Sequence, residues 1–188
     1  MLFQVDESTR RQAKAPHELA MVNLLLFNLL MLIALLAGSF LQKGSPLVEY
    51  RLVGVLIPLA ASLGVVAYTF VRASRLAGSG PWFAAAHWRL ATARYKVLLI
   101  AYLVGAGLIG LGWLLSQAQK TPGMQELMFV ALERVAIAPV LIVLMALIML
   151  ESGALYQAGR GEVPDGLARR FPPPADLTPI SEAADQPA

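Results

Sequence analysis

Four long runs of apolar residues constrain this chain more than any other feature of its sequence. They occupy residues 20–41, 52–71, 97–115 and a stretch between about 127 and 156. About 20 apolar residues are needed to cross a hydrocarbon core of roughly 30 Å. The runs show no strand-like alternation, and unpaired backbone cannot face lipid, so each run is predicted to be a helix. The predicted fold class is therefore an all-α integral membrane protein, a four-transmembrane-helix bundle.

Composition supports a lipid environment. Of the 188 residues, 57% are hydrophobic and only 14% are charged, whereas soluble domains carry about 25% charged residues. The chain has no cysteine, which excludes disulfides, thiolate metal sites and covalently attached haem.

Lysine and arginine predict the orientation, because they concentrate in cytoplasmic loops. The loops on the opposite side hold only Lys43, Arg51 and Lys120. We expect both termini to lie in the cytoplasm and the chain to reside in a bacterial inner (cytoplasmic) membrane. With four spans, eleven cations share one side: Arg10, Arg11, Lys14, Arg72, Arg75, Arg89, Arg94, Lys96, Arg160, Arg169 and Arg170.

The domain organisation follows from the spans. Residues 1–19 are predicted to be a cytoplasmic tail, and residues 20–157 form the transmembrane domain. Residues 158–188 contain six of the twelve prolines and few large apolar side chains, a composition typical of disorder.

The loop between the second and third spans is predicted to form a short cytoplasmic amphipathic segment. It mixes indole rings with basic side chains, which suits the headgroup layer of a membrane. We expect it to anchor the protein at anionic lipid headgroups, the alternative being a dock for an acidic partner. The residues concerned are Arg72, Arg75, Trp82, Trp88, Arg89, Arg94 and Lys96.

The chain has two histidines, His17 and His87, and both lie outside the predicted spans. Haem held between membrane helices needs two facing histidines within the spans, so no haem is expected. No nucleophile with a base can be assembled there either. His87 is expected to be an interfacial polar residue. We predict no catalytic residue, no metal site, no cofactor and no nucleic-acid partner.

The register of the fourth span leaves two alternatives open. A span over 127–150 would bury Glu133 and Arg134, which would then be candidates for ion coupling. A span over 135–156 would bury Glu151 instead. Because Glu133 and Glu151 are eighteen residues apart, about 27 Å along a helix, both can lie at the two interfaces, and we favour that arrangement.

This register leaves residues 127–132 outside the hydrocarbon core, and such an apolar patch is typical of an interaction site. Leu127, Met128, Phe129 and Val130 are the predicted partner-binding residues.

Small and polar residues inside the spans predict helix packing. Gly105 and Gly112 are expected to lie on the most buried face of the third span. Asn23 and Asn28 are five residues apart, about 140° around an α-helix, and are not expected to share a face.

These features predict a small non-catalytic accessory or structural subunit of a larger inner-membrane complex, with other integral membrane subunits as partners. The alternative is a small ion- or proton-coupled transporter that acts as a homo-oligomer, with Glu133 as the coupling carboxylate.

Overall fold

The protein is almost entirely helical. The computed structural model describes residues 1–38, 46–177 and 179–180. The chain is 85% helical, and the described residues form no β-strand. In chain order the elements are α1 (Glu7–Val22), a π-helical turn (Asn23–Asn28), α2 (Leu29–Gly38), α3 (Pro46–Ser79), α4 (Trp82–Ser116), α5 (Pro122–Arg160) and α6 (Asp165–Arg170).

Within the described residues, four helical stretches are long and apolar enough to cross a membrane, which confirms the all-α class and the four predicted runs. They are Glu7–Ala37, Leu52–Ser79, Trp82–Ser116 and Pro122–Arg160. The structure differs from the prediction in the loop between the second and third spans. The segment predicted to be a separate amphipathic element is the first part of α4, because no glycine or proline interrupts the helix between Trp82 and Gly105.

The chain divides into two compact units. Unit 1 comprises the described residues of Met1–Asn23, Leu63–Tyr95 and Ile148–Ala188, and unit 2 comprises those of Leu24–Ser62 and Lys96–Leu147.

Unit 2 is held by close helix approach at small residues, as predicted for the third span. A Cβ at Gly105 would lie 2.7 Å from Val140 Cγ2, and one at Gly112 would lie 3.0 Å from Leu132 Cβ. These contacts pair α4 with α5. Gly107 and Gly110, by contrast, have open space around them.

A neutral hydrogen-bonded cluster joins three helices of unit 2. The Asn28 amide donates to the Ser62 hydroxyl at 3.1 Å, and the Tyr102 hydroxyl donates to the Asn28 carbonyl oxygen. Asn23, like Asn28, is buried. The turn that contains both asparagines is π-helical, with backbone hydrogen bonds between residues five apart, so the angle of about 140° expected for an α-helix does not apply to it.

Unit 1 has its own core, built from the N-terminal segment, α1, the beginning of α4, the end of α5 and the segment after it. Packing extends to Leu177, into the segment for which composition predicts disorder; residues 178 and 181–188 lie outside the described part. The buried residues of this core are Phe3, Ala13, Phe83, Ala86, Ala158, Val163 and Ala168.

Aromatic contacts fix the segment after α5. The Phe171 ring stacks on Trp82 with centroids 5.8 Å apart, and the Arg89 guanidinium lies 3.7 Å from the centre of the Phe171 ring. Trp82 Nε1 donates to the Phe171 carbonyl at 3.2 Å. These side chains therefore replace water around a proline-rich segment that has few large apolar groups of its own.

Gly161 ends α5 and allows the N-terminal segment to approach. Its φ is +83°, and a Cβ there would lie 2.6 Å from the Phe3 carbonyl oxygen. The Glu162 N–H donates to the Gln157 carbonyl at 2.9 Å, and the Phe3 N–H donates to the Gly161 carbonyl at 2.9 Å. Only glycine suits this left-handed C-terminal turn.

Candidate functional site

Three ionisable side chains that are far apart in sequence meet inside unit 1. His17 Nδ1 lies 2.6 Å from Glu151 Oε2, and His17 Nε2 lies 2.9 Å from His87 Nδ1. His87 Nε2 lies 3.0 Å from the Glu162 carbonyl oxygen. We call this series of contacts, from the Glu151 carboxylate to the Glu162 carbonyl, the histidine chain.

The histidine chain is sealed from solvent. His17, His87 and Glu151 are all buried. The two imidazole rings are nearly perpendicular, at 85°, and the Phe83 ring lies 4.9 Å from the His87 ring. His87 is therefore buried inside unit 1, where the Phe83 and His17 rings cover it.

Each member is placed by a different helix. His17 is on α1, His87 is on α4, and Glu151 is on α5. Asp6 caps the N-terminus of α1, and its carboxylate accepts hydrogen bonds from the Ser8 hydroxyl and the Thr9 N–H. These hydrogen bonds lower the pKa of Asp6 from 3.8 to about 2, and the bond from Ser8 makes the largest contribution. An ionised Asp6 is an effective N-cap and fixes the beginning of the helix that carries His17.

Hydrogen-bond accounting determines how many protons the histidine chain holds. The Glu162 carbonyl can only accept, so His87 Nε2 donates to it. One proton lies between the two rings, and one lies between His17 Nδ1 and Glu151. Three contacts therefore hold three protons, and the loss or gain of one proton breaks a contact.

Arg94 lies beside the histidine chain. Its Nη1 is 3.3 Å from Glu151 Oε2, the same oxygen that faces His17. Glu151 therefore contacts two groups at one oxygen, an imidazole and a guanidinium. Of the three protons, the one between His17 and Glu151 belongs either to the ring or to the carboxyl group; if it belongs to the ring, the two imidazoles together carry one positive charge beside an anionic Glu151.

The chain uses all four ring nitrogens of the two histidines. A nitrogen engaged in this way is not available to ligate iron or zinc, or to accept a proton from a substrate. Among the described residues, no group of three or more histidine, aspartate or glutamate side chains could hold a metal ion. The arrangement is suited to fastening α1, α4 and α5 together.

The structure divides the predicted headgroup-contacting residues into two groups. Arg72, Arg75 and Lys96 are exposed. The other four take part in the contacts of unit 1. Trp88 is buried, Trp82 and Arg89 contact Phe171, and Arg94 pairs with Glu151.

The two candidate ion-coupling residues differ in exposure. Glu133 is only 2% exposed, whereas its neighbour Arg134 is exposed. Both belong to unit 2 and are separate from the histidine chain. Burial of Glu133 agrees with either predicted register, since helix contacts can bury a carboxylate at an interface as well as inside a span.

The predicted partner-binding residues differ in exposure. Leu127 is 64% exposed, whereas Met128, Phe129 and Val130 are half-buried. The Gln119 amide donates to the Met128 sulfur at 3.1 Å. The neighbouring Met124 is 54% exposed. Met124 and Leu127 are therefore the large apolar side chains that this surface presents.

Sequence reasoning missed the histidine chain, although one signal points to it. His17 precedes the first span, His87 precedes the third, and Glu151 follows the apolar core of the fourth. With four spans of alternating direction, these three positions share one side of the membrane. Considered together with the topology, they form a candidate cluster.

The fold and the site define a class: an all-helical protein with four apolar helices of membrane-spanning length and a buried histidine–carboxylate chain. The chain matches no known protein family, and no characterised protein or solved structure is significantly similar to it.

Proposed function

We propose that this protein resides in a bacterial inner membrane with both termini in the cytoplasm, and that it serves as a small non-catalytic subunit of a larger membrane assembly. The four apolar helices support membrane insertion. The eleven cations in three segments support the orientation, since cytoplasmic loops are enriched in lysine and arginine.

The histidine chain carries the non-catalytic part of the proposal. A general base or nucleophile has to come within hydrogen-bond reach of a substrate. Both histidines of the protein are buried, and their ring nitrogens contact each other, Glu151 and a backbone carbonyl. These groups therefore stabilise unit 1, and the function is to be sought on the surface.

The beginning of α5 supplies the candidate assembly surface. With 39 residues, α5 is about 58 Å long at 1.5 Å per residue, well beyond a hydrocarbon core of roughly 30 Å. Met124 and Leu127 lie in its first turns. Full burial of such side chains is worth about 1.5–3 kcal/mol each, and a neighbouring subunit that covers them would gain part of that energy.

Purification from native membranes in a mild detergent tests the assembly role. We expect Met124→Ala with Leu127→Ala to release a partner that the wild type retains. Ile142→Ala with Met145→Ala is the matched control, because these side chains are on the same helix and are 70% and 50% exposed. Retention of every partner by the first variant, or equal loss from both, contradicts the proposal.

The burial of Glu133 favours a second candidate, an ion- or proton-coupled transporter that acts as a homo-oligomer. An ionisable group inside a membrane bundle is typical of a coupling site. Ion-driven pH changes in proteoliposomes would then be lost in Glu133→Gln and retained in Glu126→Gln, an exposed carboxylate on the same helix. A wild-type protein that moves no proton or ion removes this candidate.

A further inference from the structure

We infer that a groove between α1 and α5 binds a phospholipid whose headgroup carries both a phosphate and a primary ammonium. The inference rests on the membrane location proposed above, but not on the assembly role. The groove has a volume of about 540 Å³ and belongs entirely to unit 1. Lys14, Glu18, Ser152, Leu155, Tyr156 and Arg160 line it.

The groove presents charges of both signs. Lys14 and Arg160 supply two cations, and Glu18 supplies a carboxylate. Lys14 and Glu18 are four residues apart on α1, so they are neighbours on one helix face, about 5–6 Å apart at their Cβ atoms. A phosphate is complementary to the two cations, and an ammonium two carbons beyond the phosphate oxygen is complementary to Glu18.

The two cations are held in position. Arg160 Nη1 donates to the Tyr156 hydroxyl at 3.1 Å, and its guanidinium lies 5.5 Å from the centre of the Tyr156 ring. Arg160 Nε also faces Glu162 Oε1 at 3.6 Å. The Lys14 stem lies against Gly159, where a Cβ would come within 3.1 Å of Lys14 Cε. Gly159 thus leaves room for the lysine along α5.

The groove lies at the depth of a headgroup layer. On α1, Glu18 and Lys14 precede the first residue of the apolar run, Ala20, by two and six positions, about 3 and 9 Å along the helix. The headgroup regions add roughly 5–8 Å on each side of the hydrocarbon core, so Glu18 lies within that layer and the Lys14 backbone lies just beyond it, within reach of the long lysine side chain.

The α5 side of the groove has a matching depth. Ser152 follows Leu150, the last residue of the uninterrupted apolar run, by two positions. Beyond it, Leu155 and the exposed Tyr156 provide an apolar contact and an interfacial aromatic ring. Lipid acyl chains would meet the apolar helix surface, and the headgroup would meet the charges.

Native mass spectrometry of the full-length protein tests this site, after removal of bound lipid and titration with phosphatidylethanolamine or phosphatidylglycerol of identical acyl chains. The wild type is expected to retain phosphatidylethanolamine more strongly. Glu18→Gln is expected to reverse that preference, because it removes the ammonium partner and the repulsion of an anionic headgroup.

Loss of the two cations is expected to weaken the binding of both lipids. Lys14→Met with Arg160→Met should lower retention at least five-fold, whereas Lys14→Arg should retain the wild-type value. Arg72→Met with Arg75→Met is the matched control, since it removes two exposed cations of α3. Each variant is first checked for an unchanged melting temperature.

Two results overturn the inference. One is that the Lys14→Met, Arg160→Met variant retains both lipids as strongly as the wild type does. The other is that Glu18→Gln leaves the lipid preference unchanged. Alkaline carbonate extraction measures membrane insertion separately, and partner retention measures the assembly role, so failure of the lipid site is distinguishable from failure of the proposed function.

Discussion

The two units are stabilised by different kinds of contact. Unit 1 buries ionisable groups in directional contacts, with His17 between His87 and Glu151. Unit 2 relies on close helix approach at Gly105 and Gly112, together with a neutral cluster around Asn28. Between helices surrounded by lipid there is no hydrophobic driving force, so packing at small residues dominates. The contacts of unit 2 are therefore those expected under the proposed membrane location.

The largest effect is expected from Glu151→Ala, which tests the ionic part of unit 1. This change leaves Arg94 and a buried imidazole pair without their carboxylate. Breaking a buried ion pair by removing one partner costs about 3–5 kcal/mol. Thermal unfolding in detergent should show the loss, and hydrogen exchange should increase in α1. Glu126→Ala, an exposed site on the same helix, should change little.

Glu151→Gln sharpens this test. If the carboxylate is ionised, the amide removes the charge that faces Arg94, and the variant is also clearly destabilised. A Glu151→Gln protein as stable as the wild type would mean that the histidine chain is neutral and that Arg94 does not depend on Glu151.

A smaller effect is expected from Gly105→Ala in unit 2. The added Cβ would approach Val140 Cγ2 to 2.7 Å, and overpacking of this kind costs about 1–3 kcal/mol. Gly107→Ala is the matched control, because nothing lies within 4 Å of its Cβ position and alanine favours the helix by roughly 0.5–1 kcal/mol. Equal melting temperatures for the two variants would contradict the close packing of α4 with α5.

The smallest effect is expected from Tyr102→Phe, which removes one hydroxyl from the neutral cluster of unit 2. Hydrogen bonds between membrane helices contribute about 0.6 kcal/mol on average. A double-mutant cycle with Ser62→Ala would isolate the coupling, since these two hydroxyls lie 2.7 Å apart. If the coupling free energy between these hydroxyls were as large as the stability lost in Glu151→Ala, the two units would not differ in the strength of their polar contacts.

The helical class and the four apolar runs are predictable from sequence, because apolar length is a property of consecutive residues. The close approach at Gly105 and Gly112 is predictable for a similar reason, since small residues at helical spacing leave room for a neighbour. The full length of α4 was not predicted, because charged residues such as Arg89 and Arg94 resemble a loop until their partners are known.

The histidine chain joins His17 to His87, which is 70 positions away in the sequence, and to Glu151, which is 134 positions away. No local pattern specifies such a contact. The π-helical turn is similarly hidden, because its residues fit an α-helix equally well and only the backbone hydrogen bonds of the folded chain distinguish the two. The order of the segment around Phe171 comes from Trp82 and Arg89, which lie in another part of the sequence.

The most direct test of the account is the topology of the two turns that flank α4. The chain has no cysteine, so single cysteines at the exposed Ser79 and Thr121 can be treated with a membrane-impermeant maleimide on spheroplasts. With both termini in the cytoplasm, position 121 should react on intact spheroplasts, and position 79 should react only after lysis. Labelling of position 79 but not 121 before lysis would contradict the orientation, and labelling of both would contradict the crossing of the membrane by α4.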